Sequence, residues 1–207
     1  MMDSQSYDEA IQYFSDLAKK DPHPHVKMAW ASAYAARAGV RIEQIYSFVV
    51  ARSVKSPEPF VVSKDISQQV AGVLLFLEGY SQQWARIPSV GSQERKDLAK
   101  ALEILKDETT PGARLYGATL RVVLLKSALE EGIKNWKSQK TQKICTEPLR
   151  AYFVWGLRAL DGVSLLLQDL AIAFPAQAQE SQNLQEQILR LKEQMNAVPW
   201  PEEDLCI

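Results

Sequence analysis

Residues 110–137 read TPGARLYGATLRVVLLKSALEEGIKNWK, and the reading of that stretch decides the fold. Its apolar residues recur at spacings of three and four, the period of a helix with one buried side, and not in the strict alternation of a strand. Thr110 and Pro111 make a good start, because proline at the first helical position gives up an N–H that would have no partner there. One long helix from Pro111 to about Lys137 is predicted.

The same period runs through most of the chain. Ser6 followed by Glu9 forms a capping box, so Tyr7–Lys20 reads as a first helix with Ile11, Phe14, Leu17 and Ala18 as its buried stripe. After Asp21-Pro22-His23-Pro24, a second helix runs from about His25 to Ala38 and stops at Gly39. A third starts near Arg41 and carries Ile42, Ile45, Tyr46, Val49 and Val50 on one side. Ser63 caps a fourth, reaching Trp84, with Ile66, Val70, Val73, Leu74 and Leu77. Ser92 caps a fifth over Gln93–Lys106. Thr146, Glu147 and Pro148 open a seventh that runs to Ala173, and an eighth spans about Gln179–Ala197. Phe60-Val61-Val62 is the only strand-like fragment, and it is too short to build a sheet. No repeat of fixed period is present, which argues against a TPR-like array. The expectation is an all-α bundle of seven to eight helices. A break at Pro88–Ser92 divides it into an N-terminal half (1–87) and a C-terminal half (92–198) of one continuous bundle, followed by a tail (199–207).

A chain of 207 residues with 46% apolar and 24% charged residues can bury a sizeable core. The longest strongly apolar run, Val70–Leu77, is shorter than the roughly 20 residues that span a bilayer. Met1–Tyr7 is polar and lacks the apolar core of a signal peptide. Cys145 and Cys206 fall in no C-x-x-C pair, which fits a reducing, cytoplasmic setting more than a disulfide scaffold.

Catalytic signatures are missing. His23 and His25 are the only histidines, so no helix carries an H-E-x-x-H or E-x-x-H metal pair. The two histidines read as the lead-in to the second helix. Cys145 has no histidine partner and reads as incidental. The glycines are scattered singles with no phosphate-binding pattern. Gly72 and Gly156, inside helical patterns, suggest close approach of neighbouring helices. Asp161 and Asp169 share one helix and one side of it, yet read as solvated or buried-and-paired acids. The expectation is a protein that is not an enzyme, with no cofactor and no metal.

What remains points to binding. The net charge is −1, but residues 1–146 hold 20 Lys/Arg against 16 Asp/Glu, while residues 147–207 hold 4 against 9. From Arg114 to Lys143 there are seven basic residues and two acids. Lys134, Lys137, Lys140 and Lys143 recur every third residue. On a helix each step drifts about 60°, so the four spread over one broad side. Asn135, Ser138, Gln139 and Gln142 lie among them, and Trp136 is embedded in the run. Such a surface suits a phosphate backbone with an unpaired base stacked on the ring. Arg41, Arg52 and Lys55 form a second basic cluster on one edge of the third helix. The plainer reading of both groups is a solvated helix end, with cations favoured near a C-terminus by the helix dipole.

Leu184, Ile188, Leu191, Met195 and Val198 are spaced 4, 3, 4 and 3, a heptad seam surrounded by Gln and Glu. It either closes on the chain's own bundle or docks on a partner helix, in which case Trp200, between two prolines, would be an anchor. Most aromatic residues read as core. Tyr152, Phe153 and Trp155 cannot all face one way, so one of them meets solvent or a partner.

The stretch Trp30–Arg52, with Ala35-Ala36-Arg37-Ala38-Gly39-Val40 leading into Ile45-Tyr46-Ser47-Phe48, resembles the helical subunits of type I CRISPR surveillance complexes. The likeness is to the separately made small subunit, or to the C-terminal helical region of the large subunit. The resemblance implies a non-catalytic bundle in a ribonucleoprotein of antiviral defence, supporting RNA or single-stranded DNA and touching neighbouring protein subunits. On that reading Lys134, Lys137, Lys140, Lys143, Arg41 and Arg52 would meet nucleic acid. Leu184, Ile188, Leu191, Met195 and Trp200 would meet a protein. The alternative is a helical protein–protein adaptor with no nucleic-acid role.

Overall fold

The computed structural model describes residues 4–41, 87–139 and 146–197. Six α-helices lie among them, with no strand: α1 (Ser4–Lys20), α2 (Pro24–Arg37), α3 (Ser92–Leu105), α4 (Pro111–Gln139), α5 (Thr146–Ala173) and α6 (Ala178–Asn196). A short 3₁₀ turn, Pro175–Gln177, joins the last two. The all-α class is as the periodicity implies. Six is short of the expected seven to eight helices. The third and fourth helices foreseen from the sequence, and the Phe60–Val62 fragment, fall at 42–86, outside the described residues.

Helix boundaries follow local chemistry. Pro24 opens α2, and the His23 side chain caps it by accepting the His25 backbone N–H at 3.3 Å. Gly39 ends the helix with φ at +73°, a region open to glycine because it has no Cβ. The Val40 N–H then returns to the Ala35 carbonyl and the Gly39 N–H to Ala36, and Val40 drops into the core. Thr110 accepts the Ala113 N–H through its hydroxyl at the start of α4. Two expected caps are displaced. Ser6 lies inside α1, which begins at Ser4. Gly91, not Ser92, caps α3, and its carbonyl takes the Arg95 N–H at 3.0 Å.

Consecutive described helices run antiparallel. Arg37 near the end of α2 meets Asp97 near the start of α3, and Lys27 near the start of α2 meets Glu108 just past the end of α3. Gly132 of α4 faces Trp155 of α5, while Gly117 faces Asp169. Lys192 of α6 reaches back to Asp161. One core joins all of these except α1. It holds Ala31 and Ala35 from α2, Leu98 and Ala101 from α3, Leu120, Val123 and Leu129 from α4, Phe153 and Leu160 from α5, and Met195 from α6. Burying each large aliphatic side chain contributes roughly 1.5–3 kcal/mol relative to leaving it in water.

The stretch read as a break is pinned to α4. The Val90 N–H bonds to the Ser127 hydroxyl at 2.9 Å, and that hydroxyl donates to the Val123 carbonyl. Lys126 is almost fully buried and places its ammonium on three oxygens: the Ile87 carbonyl (2.6 Å), Ser89 Oγ (3.2 Å) and Glu130 Oε1 (3.0 Å). Three donors meet three acceptors, which is what a buried ammonium requires.

Candidate functional site

The C-terminal half of α4 and the N-terminal half of α5 line an open cleft of about 620 Å³, to which Arg95 of α3 also contributes. Ala128, Gly132 and Ala151 make its small-residue walls, Tyr152 and Trp155 its aromatic surface, and Glu131, Asn135 and Glu147 its polar rim. The volume is in the range of small-ligand sites.

Its shape comes from two sequence choices. Tyr152 and Trp155 are three residues apart and so share one side of α5, while Phe153 between them points into the core. The conflict among these three aromatics is thereby settled: Phe153 is buried, and the other two are half-buried on the cleft. Gly132 makes room for the indole, since a Cβ added there would clash with the Trp155 ring. Burial pushes the Tyr152 phenol above its ordinary pKa. The Arg95 guanidinium is held against the Glu131 carboxylate.

The basic segment of α4 divides in two. Arg114 and Arg121 both turn onto Asp169, at 3.0 Å and 2.7 Å, and Asp169 is buried. Lys126 is tied to residues 87–89 and Glu130 as described above. These three cations belong to the fold. Lys134 is exposed and makes no ion pair among the described residues. Lys137 lies on α4, and its side chain is outside the described residues, as is that of Trp136. Lys140 and Lys143 lie outside the described residues altogether, as do Arg52, Lys55, Trp200 and both cysteines. Arg41 is exposed immediately after the turn that ends α2.

The described part of the α6 seam lies against the rest of the chain, and Val198 falls outside the described residues. Met195 is buried, Ile188 and Leu191 pack on the core, and Leu184 is half-buried. Leu189, off the seam, is 56% exposed. Asp161 and Asp169 are both ion-paired, to Lys192 and to the two arginines, so each is an acid with a partner and they are not brought together. Among the described residues no cluster of His, Cys, Asp and Glu could hold a metal ion, and no helix is long and apolar enough to cross a membrane.

The cleft was not foreseen from the sequence. Its one local signal was Gly132 inside a helical pattern, a placement that costs about 1 kcal/mol against alanine and so hints at a packing reason. The Arg95–Glu131 pair and the meeting of Gly132 with Trp155 join residues distant in sequence, and nothing local announces them. These features define an all-α bundle with an aromatic cleft and an exposed lysine beside it. No protein-family model, curated protein or solved structure matches the chain.

Proposed function

We propose that the chain is a non-catalytic helical subunit that sets the lysine-bearing end of α4 against single-stranded nucleic acid inside a ribonucleoprotein. This is the role implied by its resemblance to the helical subunits of type I CRISPR complexes. The observation that supports it is the division of the α4 cations. Arg114, Arg121 and Lys126 are engaged inside the fold, and Lys134, the first of the three-residue lysine series, stands in solvent. A surface cation at a helix end needs no internal partner and can meet phosphate at little desolvation cost.

The test is reversal of the series, K134E/K137E/K140E/K143E, followed by fluorescence anisotropy with a labelled single-stranded oligonucleotide across a salt series. The expected result is a loss of affinity of at least tenfold and a flatter dependence of log K on log salt, by about 0.7 per phosphate contact removed. Unchanged binding, with the circular dichroism of the folded chain retained, overturns the proposal.

A second reading, a helical adaptor that binds only protein, is favoured by the outer side of α5. There Val154, Leu165 and Ile172 are each about 40% exposed and fall close to a heptad line. If the four reversals leave nucleic-acid binding untouched, this reading takes the place of the first.

A further inference from the structure

The outer side of α5 carries a row of residues at alternating spacings of four and three: Val154, Arg158, Asp161, Leu165, Gln168 and Ile172. That spacing keeps a row facing one neighbour along the length of a helix, and it is the pattern on which two helices interlock. All six residues are exposed, so no described helix covers the row. Its apolar members, Val154, Leu165 and Ile172, are among the few large apolar side chains left in solvent among the described residues. Leu189 of α6 adds to them. It lies four residues after Gln185, which donates to the Ser164 carbonyl at 3.4 Å, and three before Lys192, which holds Asp161. Leu189 therefore stands, exposed, beside the middle of the row. Apolar side chains gathered on one face mark a surface built to be covered. The charges between them identify the cover. Arg158 makes no ion pair among the described residues, and Asp161 meets Lys192 through one oxygen, Oδ1.

We infer that the cover is a second copy of this chain, the two α5 helices lying antiparallel about a two-fold axis level with Ala159 and Leu160. In that register Arg158 opposes Asp161 of the second copy, and Asp161 opposes its Arg158. Val154 opposes Leu165 and Leu165 opposes Val154, so an apolar pair flanks each charge pair. The ends of the seam, where Ile172 comes level with Glu147, stay at the solvent rim. A two-fold interface needs a self-complementary surface, and this register supplies one. Parallel helices in register would set Arg158 on Arg158 and Asp161 on Asp161. Sliding the antiparallel pair by one heptad sets Asp161 against Leu165 in one direction and Val154 against Arg158 in the other. Each alternative loses the opposite-charge pairs, and like charges across an interface are strongly disfavoured. The inference rests on the reading of this face as protein-binding and commits it to one occupant. It is independent of the nucleic-acid reading, whose lysines begin on α4.

The test is sedimentation equilibrium of the full-length chain, free of nucleic acid. One helix from each copy makes a small specific interface, so a dimer constant on the order of 10 µM is expected across a range of about 1–300 µM. Leu165→Glu and Arg158→Glu, both at exposed positions, should each weaken the dimer roughly tenfold or more, the second by setting a carboxylate against Asp161. Asp161→Lys should weaken it likewise. An equimolar mixture of R158E and D161K should regain the parent's affinity to within about threefold, because each changed charge then faces its opposite. An antiparallel partner of the same sequence gives that rescue, and an unrelated partner does not. If D161K fails to fold by circular dichroism, the constants of L165E and R158E decide. The inference is overturned if the parent stays monomeric throughout, if L165E or R158E dimerises as well as the parent, or if the mixture is no tighter than either variant alone. A monomeric parent whose protein partner is lost on L165E overturns the second copy alone. One whose partners are all kept overturns the protein-binding reading of the face as well.

Discussion

Asp169 shows how a single residue can hold two helices in register. Its carboxylate is buried on α5, and one oxygen takes Arg114 Nη1 while the other takes Arg121 Nε, so each lone-pair face meets a guanidinium from α4. Replacing it by asparagine would keep the shape and strand two largely covered cations. Asp169→Asn is expected to cost about 3 kcal/mol, read as a lower urea midpoint at unchanged slope. The triple change D169L/R114M/R121M should recover most of that loss, because an apolar cluster of similar volume avoids the desolvation the three charges suffer. A triple variant as unstable as the single one would mean that the charges themselves hold the helices. The sequence left Asp169 open between a solvated acid and a buried, paired one, and the structure makes it the latter. Which arginines pair with it was not legible, since they lie 55 and 48 residues away and no local pattern encodes that distance.

Helix ends were the most legible elements, because capping chemistry is local. Thr110-Pro111 and Gly39 act where the sequence places them, and His23 serves as the lead-in to α2 through an Nδ1 acceptor. Serine was a poorer guide: Ser6 lies inside α1, and at α3 the Gly91 carbonyl, one residue before Ser92, takes the capping role. The seam of α6 was legible as a stripe, with its destination open, because a heptad specifies a packed side without specifying the surface opposite. Gly39 permits a quantitative check. Its positive φ costs an L-residue about 1–2 kcal/mol, and nothing lies within 4 Å of an added Cβ, so strain is separable from crowding. Gly39→Ala should therefore lower the thermal midpoint by about 2–4 °C per kcal/mol in a chain of this length. Gly39→Asn should lower it less, since asparagine tolerates the left-handed region. Equal losses for the two variants would show that the backbone there is free to change conformation.

At the scale of the whole molecule, formal charge was a poor guide to what the surface offers. The segment from Arg114 to Lys143 counts as strongly basic, yet three of its seven cations are enclosed by the fold. The count cannot tell a structural cation from a free one, because the difference lies in where distant acids and carbonyls arrive. The same enclosed charges set how the fold responds to acid. For Glu130, partial burial acts to raise the carboxyl pKa. The Ser89 hydroxyl and the Lys126 ammonium outweigh it, and the value lies below the usual glutamate range. A carboxyl whose pKa is depressed on folding stabilises the native state fully above its unfolded value of 4.5, and that contribution fades as pH falls through the lower folded value. Below that window the proton on Glu130 leaves the buried Lys126 ammonium with only the Ile87 carbonyl and Ser89. Residues 87–90 should then loosen from α4 before the α4–α5 pair parts. The protection factor at Val90 is expected to fall on acidification below pH 4.5, ahead of those at Leu120 and Leu160. In Glu130→Gln that acid step at Val90 should flatten, since the glutamine does not titrate. If Val90 and Leu160 lose protection together at every pH, the Lys126 knot is not a separate unit of the fold.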